Sequence, residues 1–190
     1  MSSRVLYHLV CSAPPALNVG EFVRLAHSSS WDICVIATPR AATWIDVDDL
    51  VRLTGHPVRT DHKLPGEPDV LPPHSAITVG PLTFNTLNKW ALGIADNLVL
   101  SLLTEALGLD IPVAALPYFN SAQAAHPAVA ESVARLRQAG ASVLLADADR
   151  RGFVPHLPGK GDRHRMQWQL LCDAINGRHR WSAQEEGRIK

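Results

Sequence analysis

Asp32-Ile33-Cys34-Val35-Ile36-Ala37-Thr38 is apolar at nearly every position, without the alternation of a strand that faces water on one side. A run of this length, rich in β-branched residues and closed by Thr38-Pro39, reads as a strand buried on both faces. Upstream, Val5–Val10 is a second such run, and between the two Leu17, Phe22, Val23, Leu25 and Ala26 share one helical face across Leu17–Ala26. Downstream the spacing predicts a short helix at Val47–Leu53, a strand at Ser75–Gly80 and a helical region from Phe84 to Leu107 interrupted at Gly93. A strand at Ile111–Leu116, a helix at Pro127–Ala139 and a strand at Ser142–Leu145 complete the pattern. Strands apolar on both faces and separated by helices make a parallel sheet covered on both sides. The expected fold is therefore α/β: a three-layer, Rossmann-like (flavodoxin-like) domain around a parallel central sheet.

Composition bounds the function. The 190 residues are 46% apolar and 19% charged, with 18 Lys+Arg against 18 Asp+Glu. One globular domain of this size buries a core that needs neither disulfides nor a structural metal. The charge balance leaves no basic footprint for nucleic acid or anionic lipid. Cys11, Cys34 and Cys172 are distant and odd in number, the pattern of reduced thiols in a cytoplasmic protein. No Cys-x-x-Cys or helical His pair marks a metal site, and the first apolar run is too short for a signal h-region or a membrane span. Residues 1–176 read as the folded domain and 177–190 as a polar C-terminal tail. The segment Leu64–Pro73, with four prolines, has the length and composition of a site loop or lid.

In open parallel sheets, ligands bind at the carboxyl ends of the strands, where loops and helix N-termini offer free N–H groups. The candidates are thus Cys11-Ser12-Ala13, Thr38-Pro39-Arg40, Pro81–Thr86 and Pro117–Asn120. Ser12, Thr38, Thr83, Asn85 and Asn120 are suited to bind a phosphate, a ribityl chain or a flavin edge. Equally, Ser, Thr and Asn are the residues that cap helices, and Asn85 stands where an N-cap is expected. No G-x-G-x-x-G follows the first strand.

Gly80-Pro81-Leu82-Thr83-Phe84-Asn85-Thr86, continuing through Lys89 to Gly93-Ile94-Ala95-Asp96-Asn97-Leu98, resembles the A-P-A-S-A-N-T…G-I-A-D-N-L blocks of the homo-oligomeric flavin-containing cysteine decarboxylases. That family includes phosphopantothenoylcysteine decarboxylase and the enzymes that act on the C-terminal cysteine of ribosomally made peptides. Three further segments are similar to its blocks and keep their order: Ala37–Ala42, Pro117–Asn120 with His126–Val129, and Gly159–Arg163. The resemblance implies bound FMN, with FAD as the alternative, held by Ser12, Thr38, Arg40, Thr83, Asn85 and Phe119. It implies oxidation of the cysteine at the carbon that bears sulfur, loss of CO₂, and an enethiol product, the precursor of aminovinyl-cysteine. It also implies a homo-oligomer built from trimers. Trp90 with neighbouring Leu87, on a short helix, is read either as an exposed apolar face for such an assembly or, by the usual burial of Trp, as core.

The departures are specific. The family's catalytic histidine lies eighteen residues before the asparagine matching Asn85, and an ungapped count lands on Glu67, with His62 and His74 on either side. Glu67, His62 and His74 are therefore the acid–base candidates beside Asn85 and Asn120. Phe119, Gln123 and Ala124 stand where the family has Met, Met and Trp, and the first loop lacks the family's glycines. A diverged substrate grip suits a peptide with a C-terminal cysteine, whose sequence varies between pathways. The alternatives are phosphopantothenoylcysteine decarboxylation and a non-catalytic flavin-binding regulatory subunit.

Overall fold

The computed structural model describes residues 4–146 and 152–177. The proposed tail lies outside them apart from Gly177. In chain order the elements are β1 (Arg4–Val10), a 3₁₀ turn (Pro14–Asn18), α1 (Val19–Ser28), β2 (Trp31–Ala37), α2 (Pro39–Ala42) and α3 (Val47–Thr54). Then follow β3 (Ala76–Leu82), α4 (Phe84–Ala91), α5 (Leu98–Gly108) and β4 (Val113–Pro117). The chain continues through α6 (Ser121–Ala124), α7 (Pro127–Gln138), β5 (Ser142–Val143), a second 3₁₀ turn (Arg163–Arg165) and α8 (Trp168–Ile175).

The five strands form one all-parallel sheet in the order β2-β1-β3-β4-β5. This is the flavodoxin-like order, and it confirms the fold class read from the apolar runs. Every residue of β3 and β4 is buried, as their continuous hydrophobicity predicted. Helices α1 and α8 pack on one another over one face, while α4 packs against α5 and α7 on the other. Gly80 lets α8 approach the sheet: a Cβ there would lie 2.8 Å from Leu171 Cδ1 and 3.1 Å from Trp168.

Several boundaries differ from the periodicity: α1 begins at Val19, which leaves Leu17 exposed in the preceding 3₁₀ turn and off the apolar helical face, and β5 ends at Val143. β3 runs two residues further, through Pro81 to Leu82, with a register shift against β4 between Val79 and Leu82. As the interruption at Gly93 predicts, the region from Phe84 to Leu107 is two helices, α4 and α5, linked through Gly93 at φ +72° and braced by a Lys89–Asp96 ion pair. A larger correction concerns Trp90 and Leu87. Both are buried, and the Trp90 Nε1–H donates to the Leu103 carbonyl at 3.0 Å, so they join α4 to α5 and offer no exposed face. Leu87 and Trp90, three residues apart, share one side of α4, and packing turns that side inward.

The core includes an imidazole. His8, in the middle of β1, is fully buried, with Nδ1 2.9 Å from Thr78 Oγ1 and its ring stacked on Phe22 at 4.0 Å. Burial pushes its pKa down to about 3, weakly opposed by the nearby Gly80 backbone, while Nε2 itself has no hydrogen-bond partner among the described residues. Among the described residues no helix is long and apolar enough to cross a membrane.

Candidate functional site

In the observed order β1 continues to β2 on one side, whereas β3 lies on the other, so the chain reverses direction across the sheet between β1 and β3. Ligands of such sheets bind outside the carboxyl ends of the strands at that switch point. A crevice of about 320 Å³ lies there, lined by Ser12, Ala13 and Pro14 after β1, Thr83, Phe84 and Asn85 after β3, and Tyr118, Phe119 and Gln123 after β4, with His156 from the returning chain.

Local structure decides which polar groups are free. Thr83 is the N-cap of α4: its Oγ1 accepts from the Thr86 N–H at 3.3 Å, and its hydroxyl donates to Thr86 Oγ1 at 3.0 Å. The expectation that Asn85 caps the helix is thereby corrected. Asn85 is the second helical residue, exposed, and its side chain makes no hydrogen bond among the described residues. The N–H groups of Phe84 and Asn85, in the first turn, have no carbonyl to bond within the helix, and both residues line the crevice. The half-buried Ser12 hydroxyl is likewise unengaged among the described residues. Thr38 and Asn120, by contrast, do cap. Thr38 Oγ1 accepts from the Ala41 N–H at 3.2 Å, and Asn120 and Gln123 exchange side-chain and backbone hydrogen bonds in a capping box over α6. Asn120 therefore has its Oδ1 occupied, while its Nδ2 has no partner among the described residues.

Beneath the crevice, Cys11 is buried, and burial holds its thiol pKa above the ordinary value against weaker hydrogen bonds from Thr86 and Thr83. It stays a neutral thiol at the end of β1. Phe84 and Phe119 meet edge to face, with ring centres 6.4 Å apart, and Phe119 meets Phe153 in the same way at 5.9 Å. Tyr118 packs on Phe153 and His156 and hydrogen-bonds the backbone of Asp162. The segment 152–162 is thus laid across the carboxyl end of β4. It encloses a second cavity of about 410 Å³ that shares Tyr118 and His156 with the crevice and is otherwise walled by Leu116, Phe153, Val154, His164, Met166 and Gln167.

The structure brings Ser12, Thr83, Asn85 and Phe119 into one crevice and sets Asn120 at its edge through Gln123. Thr38 stands at the end of β2 beside the end of β1, where its N–H donates to the Val10 carbonyl. Arg40 is exposed on α2 with its guanidinium 6.0 Å from the Trp44 ring centre. His62 and Glu67 lie elsewhere, in a separate cavity of about 440 Å³ with Arg59, Asp61 and Lys63. His62 Nε2 is 3.3 Å from Ser101 Oγ, and Glu67 Oε2 accepts the Leu64 N–H. His74 precedes β3, at the amino ends of the strands, roughly 20 Å along the sheet from the crevice. Its ring stacks on Tyr7 at 4.1 Å, and burial lowers its pKa against the opposing charge of Glu105.

The family model described as Flavoprotein matches residues 16–179, most of the chain. The chain belongs to the Flavoprotein family. Among curated relatives, this Flavoprotein-family chain is 33% identical over 126 residues to the coenzyme A biosynthesis bifunctional protein CoaBC of Mycobacterium bovis, covering 64% of this chain and 29% of the relative. It is 44% identical over 62 residues to the phosphopantothenoylcysteine decarboxylase of Mus musculus, covering 33% of this chain and 30% of the relative. The chain thus spans about a third of the length of the curated relatives it matches. Its fold is shared with the FMN-dependent cysteine decarboxylase TvaF from thioviridamide biosynthesis, at a TM-score of 0.63 and 24% identity over 75% of this chain and 90% of that one.

Sequence reasoning passed over His156 as a lining residue of this Flavoprotein-family site, whereas Tyr118 lay within the candidate stretch Pro117–Asn120 and Gln123 within the family's substrate grip. Tyr118 and Gln123 were thus open to detection. His156 was not, because it reaches the crevice only through the pairing of residue 156 with Asn120, with the Ser121 N–H donating to the His156 carbonyl at 2.7 Å.

Proposed function

We propose that this chain is an FMN-dependent decarboxylase that acts on the C-terminal cysteine of a ribosomally made peptide and releases an enethiol. The observation that carries the reading is the crevice at the β1–β3 switch point, which combines unengaged donors with an aromatic wall. The N–H groups of Phe84 and Asn85 with the Ser12 hydroxyl fit a phosphate, and Thr38 and Arg40 flank them from the end of β2. Phe84 and Phe119 fit one side of a flavin ring. When bound, FMN supplies a two-electron acceptor for the carbon that bears sulfur. The chain's own part is to orient the substrate: the amides of Asn85 and Asn120 donate to its carboxylate without adding charge. Holding that carboxylate beside the apolar Phe119 and Phe153 disfavours its charge and so assists loss of CO₂.

A peptide is favoured over the phosphorylated vitamin intermediate by the adjoining cavity. Its walls are aromatic and aliphatic with two histidines, and no lysine or arginine is among the described residues that line it. A phosphate there would lack the cationic partner such groups usually have. The likeness to phosphopantothenoylcysteine decarboxylase supports the second reading, the vitamin-pathway reaction. Glu67 in place of the family's histidine supports a third, a flavin-binding regulatory subunit. We place the active form in the cytoplasm as a homo-oligomer built from trimers, with neither nucleic acid nor membrane as partner.

The test is to incubate the purified, flavin-loaded protein with a short peptide ending in cysteine and, separately, with phosphopantothenoylcysteine. Loss of two hydrogens and CO₂ from the peptide, seen by mass spectrometry, is expected. CO₂ loss from the vitamin intermediate alone would select the second reading, and inertness toward both, with flavin bound, the third. A colourless protein that takes up no FMN on titration would remove all three.

A further inference from the structure

His156 stands between the two cavities and faces both. Its Nδ1 lies 2.9 Å from the Leu157 carbonyl oxygen. A carbonyl oxygen only accepts, so Nδ1 is the donor of this contact, and in the neutral ring the lone pair falls on Nε2. No group among the described residues donates to that nitrogen. The ring is held by packing on Tyr118, with centres 5.0 Å apart, and by the backbone pairing of residue 156 with Asn120. Gly161 lies close beside it: a Cβ there would come 3.3 Å from Nε2 and 3.2 Å from the Tyr118 hydroxyl, so only glycine leaves the nitrogen uncrowded on that side.

Within a single chain the other acid–base candidates lack this combination. His62 and Glu67 line a different cavity and are engaged with Ser101 and the Leu64 backbone, and His74 is packed on Tyr7 at the amino ends of the strands. Among the described residues, the remaining titratable groups that line the two cavities are Tyr118, whose hydroxyl is bonded to the Asp162 backbone, and His164. Of the described histidines, His156 alone lines the crevice that holds Asn85, while His126 meets the ring of Phe84 from the N-cap of α7 with centres 5.8 Å apart.

We propose that His156 is the proton acceptor and donor of the site, acting on the substrate sulfur through Nε2. The proposal rests on the cysteine-decarboxylase reading above. In the first step the S–H proton passes to Nε2 as sulfur and its carbon form a double bond, and the hydride lost from that carbon goes to the bound flavin, the oxidant. In the second, the bond from the α-carbon to the carboxylate breaks and CO₂ leaves. The freed electron pair forms the carbon–carbon double bond while the C=S pair moves onto sulfur, which takes the proton back from the imidazolium. The substrate has lost a hydride and CO₂, and His156 is unchanged.

The experiment compares the flavin-loaded wild type with His156→Gln, using a short peptide ending in cysteine. It reads flavin content, peptide affinity by fluorescence anisotropy, and the rate of anaerobic flavin bleaching in a single turnover. Flavin content and affinity are expected to stay within about twofold while bleaching slows at least ~100-fold, the usual contribution of general acid–base catalysis. Imidazole added to His156→Ala should restore part of the rate. Bleaching of His156→Gln at the wild-type rate would overturn the proposal, as would His156→Ala that imidazole leaves unchanged. If the histidine variants do not fold, Gly161→Ala keeps the ring and crowds Nε2. Slower bleaching with normal flavin content then supports the proposal, and a wild-type rate overturns it. A wild type that itself fails to convert the peptide would instead defeat the decarboxylase reading.

Discussion

The Tyr118 hydroxyl accepts the Asp162 N–H at 2.6 Å and donates to the Asp162 carbonyl oxygen at 2.8 Å, so one buried side chain at the end of β4 holds both polar groups of a single loop residue. This pair fixes where the segment 152–162 crosses the crevice and hence the shape of both cavities. Tyr118→Phe keeps the ring packing and removes both bonds. The expected cost is roughly 1–2 kcal/mol, because Asp162 is exposed and water replaces part of what is lost. Flavin content should persist while the KM for peptide rises, as denaturant unfolding and steady-state kinetics will show.

Asn85 and Thr83 separate stability from function. Thr83→Ala deletes the cap of α4 and should lower stability by about 1 kcal/mol. Asn85→Asp deletes no cap and places a carboxylate in the first helical turn, where the helix dipole favours it by a few tenths of a kcal/mol or more. Its melting temperature should therefore match or exceed that of the wild type. Turnover should fall roughly ten- to hundredfold, since loss of the donor to the substrate carboxylate costs on the order of 1–3 kcal/mol. A fully active Asn85→Asp would remove the amide from the substrate site.

His8 predicts an acid-sensitive core. Its folded pKa of about 3 lies below the ordinary histidine value, so the unfolded chain binds the extra proton between the two. The stability contributed by neutral His8 is complete above about pH 6.5 and is lost as pH falls toward 3. Between pH 7 and pH 5 the loss from this group alone should be roughly 2 kcal/mol. Urea unfolding of the wild type and of His8→Phe at both pH values checks this, and equal pH dependence of the two would assign the acid loss to other groups.

Gly80→Ala tests how tightly α8 sits on the sheet. The added Cβ would meet Leu171 at 2.8 Å and Trp168 at 3.1 Å, both of them buried, and cannot be absorbed without displacing α8. The expected cost is about 1–3 kcal/mol, typical of overpacking. Thermal unfolding at wild-type level would mean that α8 yields more readily than its contacts imply.

The strands were legible because burial on both faces demands continuous apolar runs: Asp32–Thr38 and Val5–Val10 announce β2 and β1 within a residue or so of their observed limits. The crevice was legible too, since a parallel sheet opens at its carboxyl ends, which placed Ser12, Thr83, Asn85 and Phe119 together in advance. Chain order and hydrophobic period are local properties, and they suffice for this much. Which of Thr83 and Asn85 caps α4, and that Trp90 turns inward to Leu103, depends on hydrogen bonds and packing between elements. The same holds for the acid–base candidates. Glu67 and His62 are close to Asn85 in sequence yet line another cavity, whereas His156, seventy-one residues beyond Asn85, reaches the crevice because its backbone pairs with Asn120. Spacing along the chain carries no information about such a return, because the contact forms only once β4 and the segment after β5 lie side by side.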